Sequence, residues 1–269
     1  MKLMPLRRAV PLLVSALLGV AVLIPAAAPA NDFSGFGNPR RINGPSVITK
    51  PGAYRLQRSI TLHHAGTAIL IAADNVSLDL AGHTLAGPGN QGIGIHVKGV
   101  SGARVRGGIV SGFAFGVQVE GATNVRIEGL QILGGDLGGP PPGEVGVMLV
   151  NSRAIVIERN VVSGTFLGIF VRGGGSGGNR LGANTLTGGG AGQIGICYNP
   201  DASGSPAGPG GDLVYNNLVS RFQVGIQTSP GTAGNVFSEN SIAFFGSAIE
   251  ELLPGSNLFA DNQDIQIVP

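Results

Sequence analysis

The residues of this chain best suited to move a proton are His63, His64, His96, Lys98 and Glu120. Three of its four histidines belong to this set, and Glu120 stands 24 residues beyond His96. An imidazole beside an amine or a second imidazole is a base and acid pair. It can take a proton from a carbon next to a carboxylate and return one elsewhere. Three imidazoles on one face are also a transition-metal set. The alternative to both is a scatter of surface histidines with no joint role. The choice depends on whether folding brings these positions onto one face.

The elements that must position them are read from a repeat. A phrase of glycine, Ile or Val, a variable residue and usually another apolar residue starts at Gly94, Gly116, Gly146, Gly168, Gly195 and Gly225, in steps of 22, 30, 22, 27 and 30 residues. A period in this range marks a solenoid, in which each turn covers the apolar face of the next. Each repeat divides into three short strands. Strand A alternates apolar and polar residues, as in 75–80, 124–127 and 235–237. Strand B is brief, as in Thr84-Leu85, Val161-Val162 and Ser241-Ile242. Strand C is the glycine phrase, with glycine-free versions at Ala68 and Ala248 that bring its occurrences to eight. Asn160, Asn184, Asn217, Asn240 and Asn262 each precede strand B. Asparagine tolerates a left-handed corner, and amides stacked at strand spacing bond to one another. This column therefore reads as a structural ladder, with His83 a corner residue in its line.

Three strands per turn and an Asn ladder resemble the right-handed parallel β-helix superfamily, the pectate-lyase-like proteins. Val76-Ser-Leu-Asp-Leu-Ala-Gly-His-Thr-Leu-Ala-Gly87 is similar to the first-rung signature of their carbohydrate-binding and sugar-hydrolase-like branch. Pro51-Gly-Ala-Tyr-Arg-Leu56 is similar to the lead-in strand of that branch. The resemblance spans roughly residues 45–267. It implies an all-β, single-stranded right-handed parallel β-helix of about eight rungs of three short strands, with the Asn ladder at one corner. It names no single reaction, because one fold hosts many.

In that superfamily the polysaccharide cleft lies on the sheet that follows the loop after strand B, here strand C. The insertions 134–145, 172–178 and 199–211 all border strand C and would make it a groove. Its floor reads Leu70, His96, Gln118, Met148, Phe170, Cys197, Gln227 and Glu250, with Lys98, Glu120 and Arg172 one outward position on. The resemblance thus implies a polysaccharide or glycan partner. His96 and Lys98 are its candidate catalytic residues. His63, His64, Gln118, Glu120, Met148, Phe170, Arg172 and Gln227 are its candidate binding residues. Phe170 and Met148 either stack on a sugar face or pack beneath the proline-rich insertion.

Polygalacturonase-like members carry Asn-Thr-Asp, Asp-Asp and Gly-His-Gly, and none of the three occurs here. Strand C also lacks the Asp cluster of calcium-dependent lyases. An enzyme of this kind would be a uronic-acid lyase or epimerase rather than a hydrolase, the remaining alternative being a non-catalytic surface scaffold. No cofactor and no resident metal are expected. On strand A, outward Asp79, Arg104, Arg126 and Arg180, with Arg106, Glu128 and Glu158 one register over, read as a salt-bridge ladder or an anionic glycan strip.

Lys2, Arg7 and Arg8, an apolar run from Ala9 to Ile24, and Ala28-Pro29-Ala30 read as a secretory signal peptide, residues 1–30. Residues 31–45 read as an N-terminal cap and 46–269 as the β-helix domain. Export to the periplasm or the exterior follows, with no membrane association after cleavage, and a monomer is expected. The leader holds three of 17 basic residues, which leaves 14 basic against 15 acidic. The apparent basicity is then the leader's, and nucleic acid is not an expected partner. A lone cysteine, Cys197, forms no internal disulfide.

Overall fold

The computed structural model describes residues 38–134, 144–199, 209–252 and 256–266. These residues hold 23 strands, every pairing between them parallel. Strand order follows the chain around a coil, so each strand pairs with its counterpart one turn earlier and one turn later. The result is a parallel β-helix with three faces, here called sheets A, B and C.

Sheet C carries Thr67–Ile71, Ile93–Lys98, Phe115–Glu120, Val145–Val150 and Leu167–Arg172, then the last parts of Thr185–Asn199, Leu218–Thr228 and Ser241–Glu251. Ser46–Ile48 adds a strand in front of these, paired with Thr67–Ile71. It lacks the glycine phrase and so escaped the repeat count. Pairing on sheet A begins earlier still, at Arg40–Ile42 against Gly52–Leu56. Several turns have fewer breaks than three short strands imply. Arg104–Ser111 and Arg126–Leu133 run through the A–B corner, and the three long strands run through the B–C corner. Register shifts near Gly190, Phe222 and Val224 absorb the bend there.

The inward rows make the core. Ile69, Ile95, Val117, Val147, Ile169, Ile196 and Ile226 pair in succession and are all fully buried. Sheet A contributes Leu78, Val105, Ile127, Ile157, Leu181, Val214 and Phe237, and sheet B contributes Leu85, Val110, Val162, Leu186 and Val219, all fully buried. The glycine of each phrase has a steric cause. A Cβ at Gly116 would stand 2.4 Å from Ile132 Cγ2 and 2.7 Å from the Gly146 carbonyl oxygen. Sheets B and C converge there, so no side chain fits.

The Asn ladder is present. Asn160 Nδ2 donates to Asn184 Oδ1, Asn184 to Asn217, Asn217 to Asn240 and Asn240 to Asn262, over 2.9–3.1 Å. Its backbone reason differs from the expectation. The left-handed residue is the one before each asparagine: Arg159, Ala183, Asn216, Glu239 and Asp261, with φ of 51–56°. The asparagine itself turns inward and bonds the corner's backbone. A second ladder, not anticipated, holds the C–A corner through Asn179, Asp212, Asn235 and Asn257.

Candidate functional site

On sheet C the outward row runs Val47, Leu70, His96, Gln118, Met148, Phe170, Cys197, Gln227 and Glu250, each opposite the next. Beside it, Lys98 stands opposite Glu120, Glu120 opposite Val150, and Val150 opposite Arg172. The expected floor is therefore one continuous strip. A repeat of fixed phase does this, because parallel in-register strands place equivalent residues directly above one another.

The N-terminal part of the strip is a polar cluster. His96 Nε2 lies 3.0 Å from Glu120 Oε2, and Lys98 Nζ lies 3.6 Å from Glu120 Oε1. Gln118 Nε2 reaches Glu120 Oε2 at 3.5 Å. His96 is buried, Lys98 is exposed, and Gln118 and Glu120 are half-buried. With the proton on Nε2 donated to Glu120, the imidazole presents Nδ1 as its basic atom. The carboxylate thus fixes both tautomer and ring orientation, while the exposed lysine approaches its other oxygen, Oε1.

His63 and His64 do not join this cluster. They are exposed in the turn that leads into Thr67–Ile71, whereas Lys98 and Glu120 close the far ends of their strands. Neither makes a hydrogen bond or ion pair with His96. Among the described residues no three His, Cys, Asp or Glu side chains come together to hold a metal. The three-histidine metal set fails because His63 and His64 lie in the turn before Thr67–Ile71, whereas His96 lies within the next strand of sheet C, Ile93–Lys98.

Farther along, Met148 is buried and Phe170 half-buried, forming the apolar middle. Arg172 is half-buried at the strand's end, and its carbonyl accepts from Ser176 Oγ at 2.7 Å. Gln227 Nε2 donates to Glu250 Oε2 at 3.0 Å, and Cys197 Sγ approaches Gln227 Oε1 at 3.9 Å. Burial pushes the Cys197 thiol up to about 12, so it stays protonated and is not a nucleophile at neutral pH. Of the bordering insertions, 172–178 is described; most of 134–145 and of 199–211 lies outside the described residues.

Sheet A corrects one register. Asp79 does not share a row with Arg104, Arg126 and Arg180; it stands opposite Arg106, in the row that continues to Glu128 and Glu158. Charge then alternates between neighbouring rows. Arg104 pairs with Glu128, Arg126 reaches Glu158 at 3.1 Å, Arg159 reaches Glu128 at 3.1 Å, and Tyr215 donates to Glu158 at 2.8 Å. These carboxylates already occupy the guanidinium forks. A salt-bridge ladder fits this face, and a glycan strip would have to displace it.

A family profile described as the right handed beta helix region matches residues 52–205. The chain belongs to that family. Solved structures agree on the fold. An alginate lyase from Paenibacillus sp. is 14% identical with a TM-score of 0.55, covering 82% of this chain and 92% of the lyase. The Dettilon tailspike protein is 16% identical with a TM-score of 0.58, over 84% of this chain and 54% of its own. An exopolygalacturonase from Thermotoga maritima is 12% identical with a TM-score of 0.54, over 87% of this chain and 71% of its own. A search of curated protein sequences finds no match. No helix among the described residues is long and apolar enough to cross a membrane.

Proposed function

We propose that this chain is an exported β-helix protein that binds an acidic polysaccharide along sheet C. The observation that carries the reading is the graded outward row: a His96–Glu120–Lys98 cluster at one end, Met148 and Phe170 in the middle, and Gln227–Glu250 at the other. Such a strip offers a cation and amides to acidic or hydroxylated sugars and an aromatic face for stacking. Structural neighbours named as an alginate lyase and an exopolygalacturonase support a uronic-acid polymer as the ligand class.

A second reading is favoured by the His96–Glu120 pair. A carboxylate-held imidazole beside an ammonium is suited to β-elimination. In that step His96 takes the proton from the carbon bearing the uronic carboxylate, the electron pair forms a carbon–carbon double bond, and the glycosidic C–O bond breaks. The leaving oxygen takes up a proton from water or Lys98.

Calorimetric titration with oligomers of alginate and polygalacturonate tests binding, with a neutral glucan as control. Affinity for the uronans that falls on Lys98→Ala or Phe170→Ala supports the reading; equal or absent affinity for all three refutes it. Ultraviolet absorbance of an unsaturated product, lost in His96→Ala, separates elimination from binding alone.

A further inference from the structure

We propose that a cavity at the N-terminal end of sheet A is a separate binding site for a monosaccharide-sized ligand carrying a carboxylate, sulfate or phosphate group. The cavity measures about 540 Å³, and its lining includes Arg41, Arg55, Gln57, Asn38 and His83. That volume lies in the range of small-molecule sites.

The charge pattern of sheet A points to an anion. One outward row runs Arg41, Arg55, Asp79, Arg106, Glu128 and Glu158, each opposite the next. Beyond Asp79 the row alternates in sign until Glu128 and is cross-paired with its neighbours. Asp79 is committed: Oδ1 accepts from the Ala81 N–H at 2.8 Å and Oδ2 faces Arg106 at 3.5 Å. Arg41 and Arg55 are different. They stand directly opposite each other, both exposed, and among the described residues neither side chain has a hydrogen bond or an ion pair. The flanking cations do have partners: Arg40 donates to the Tyr54 hydroxyl at 2.6 Å, and Arg58 to the Asn43 carbonyl at 2.7 Å. The half-buried His83 uses only its backbone groups, so its imidazole adds a further polar atom without a partner to the same wall.

Like charges opposite each other across a strand pair are destabilising. Two guanidinium forks one strand spacing apart, about 4.8 Å, match the oxygens of a bridging oxyanion, which removes that repulsion. Gln57 and Asn38 offer amides to sugar hydroxyls. This site lies on sheet A and shares no residue with the sheet C strip.

The test is calorimetric titration at low ionic strength with sodium sulfate, glucuronate, glucose 6-sulfate, glucose 6-phosphate and neutral glucose. Charged sugars should bind, glucose should not, and inorganic sulfate should bind more weakly than the sugar sulfate. The Arg41→Gln/Arg55→Gln variant should lose about tenfold or more in affinity. Both side chains are exposed, so circular dichroism should show an unchanged fold. His96→Ala should leave this binding intact, which separates it from any failure of the sheet C reading. No anion binding, or equal affinity in the double glutamine variant, overturns the site. Sulfate binding as tightly as the sugar sulfate overturns the sugar part of it.

Discussion

Asn184 is the middle of the ladder that fixes the A–B corner, and its removal measures what holds the coil in register. Its Nδ2 donates to the Ile157 carbonyl at 2.9 Å and to Asn217 Oδ1 at 3.0 Å. Its Oδ1 accepts the Asn160 backbone N–H at 3.0 Å and Asn160 Nδ2 at 3.1 Å. In Asn184→Ala the Asn160 side chain keeps its bond to the Ile127 carbonyl, but the Asn160 backbone N–H loses its acceptor. The Ile157 carbonyl loses this donor. Asn160 is 1% exposed, so water does not replace the lost bond. A buried orphan of this kind costs about 1–3 kcal/mol, and two partial orphans together about 2–4 kcal/mol. Asn262 makes the same type of bond at the half-buried end of the column, where water is at hand. Asn262→Ala should therefore cost only about 1 kcal/mol. Urea unfolding followed by circular dichroism, with unchanged m, gives both numbers. Hydrogen exchange at the Asn160 amide should accelerate in Asn184→Ala alone. Equal costs for the two variants, or an unaltered Asn160 amide, would refute the claim that the buried amides carry the register.

Three further outcomes rest on other buried or half-buried groups of the same fold. With its thiol near 12, Cys197 is thiolate in only about one molecule in ten thousand at pH 8, so a thiol-reactive dye should label it in urea and not in the native protein. Burial raises the Asp212 carboxyl above its ordinary value despite bonds from Asn179 and Tyr198. The fold therefore favours the protonated acid: that contribution is present below the unfolded carboxyl's range and is lost as pH rises through the folded value. Asp212→Asn should gain in melting temperature relative to wild type between about pH 3 and pH 7, and a pH-independent difference would contradict this. Phe170→Ala should weaken uronan binding by about tenfold with little loss of stability, since the ring is only half-buried; unchanged affinity would remove it from the strip.

By itself the sequence determined the coil and the content of its rows. In a stack of parallel strands a residue's face depends only on its phase within the repeat, so Gly94, Gly116 and Gly146 sufficed to place His96, Gln118 and Met148 in one line. Tertiary structure decided everything that depends on lateral reach or on corner backbone. The His96–Glu120 bond is diagonal between strands, joining different positions of the phrase, and no single row predicts it. The adjacency of His63 and His64 to the cluster dissolved because turns of unequal length separate a corner from the strand that follows it. Asp79 moved by one register for the same reason, and the second ladder went unread because Asp212 interrupts its asparagines. The opposed pair Arg41 and Arg55 emerged only when the first turn closed, since its strands precede the repeat that made the rest legible.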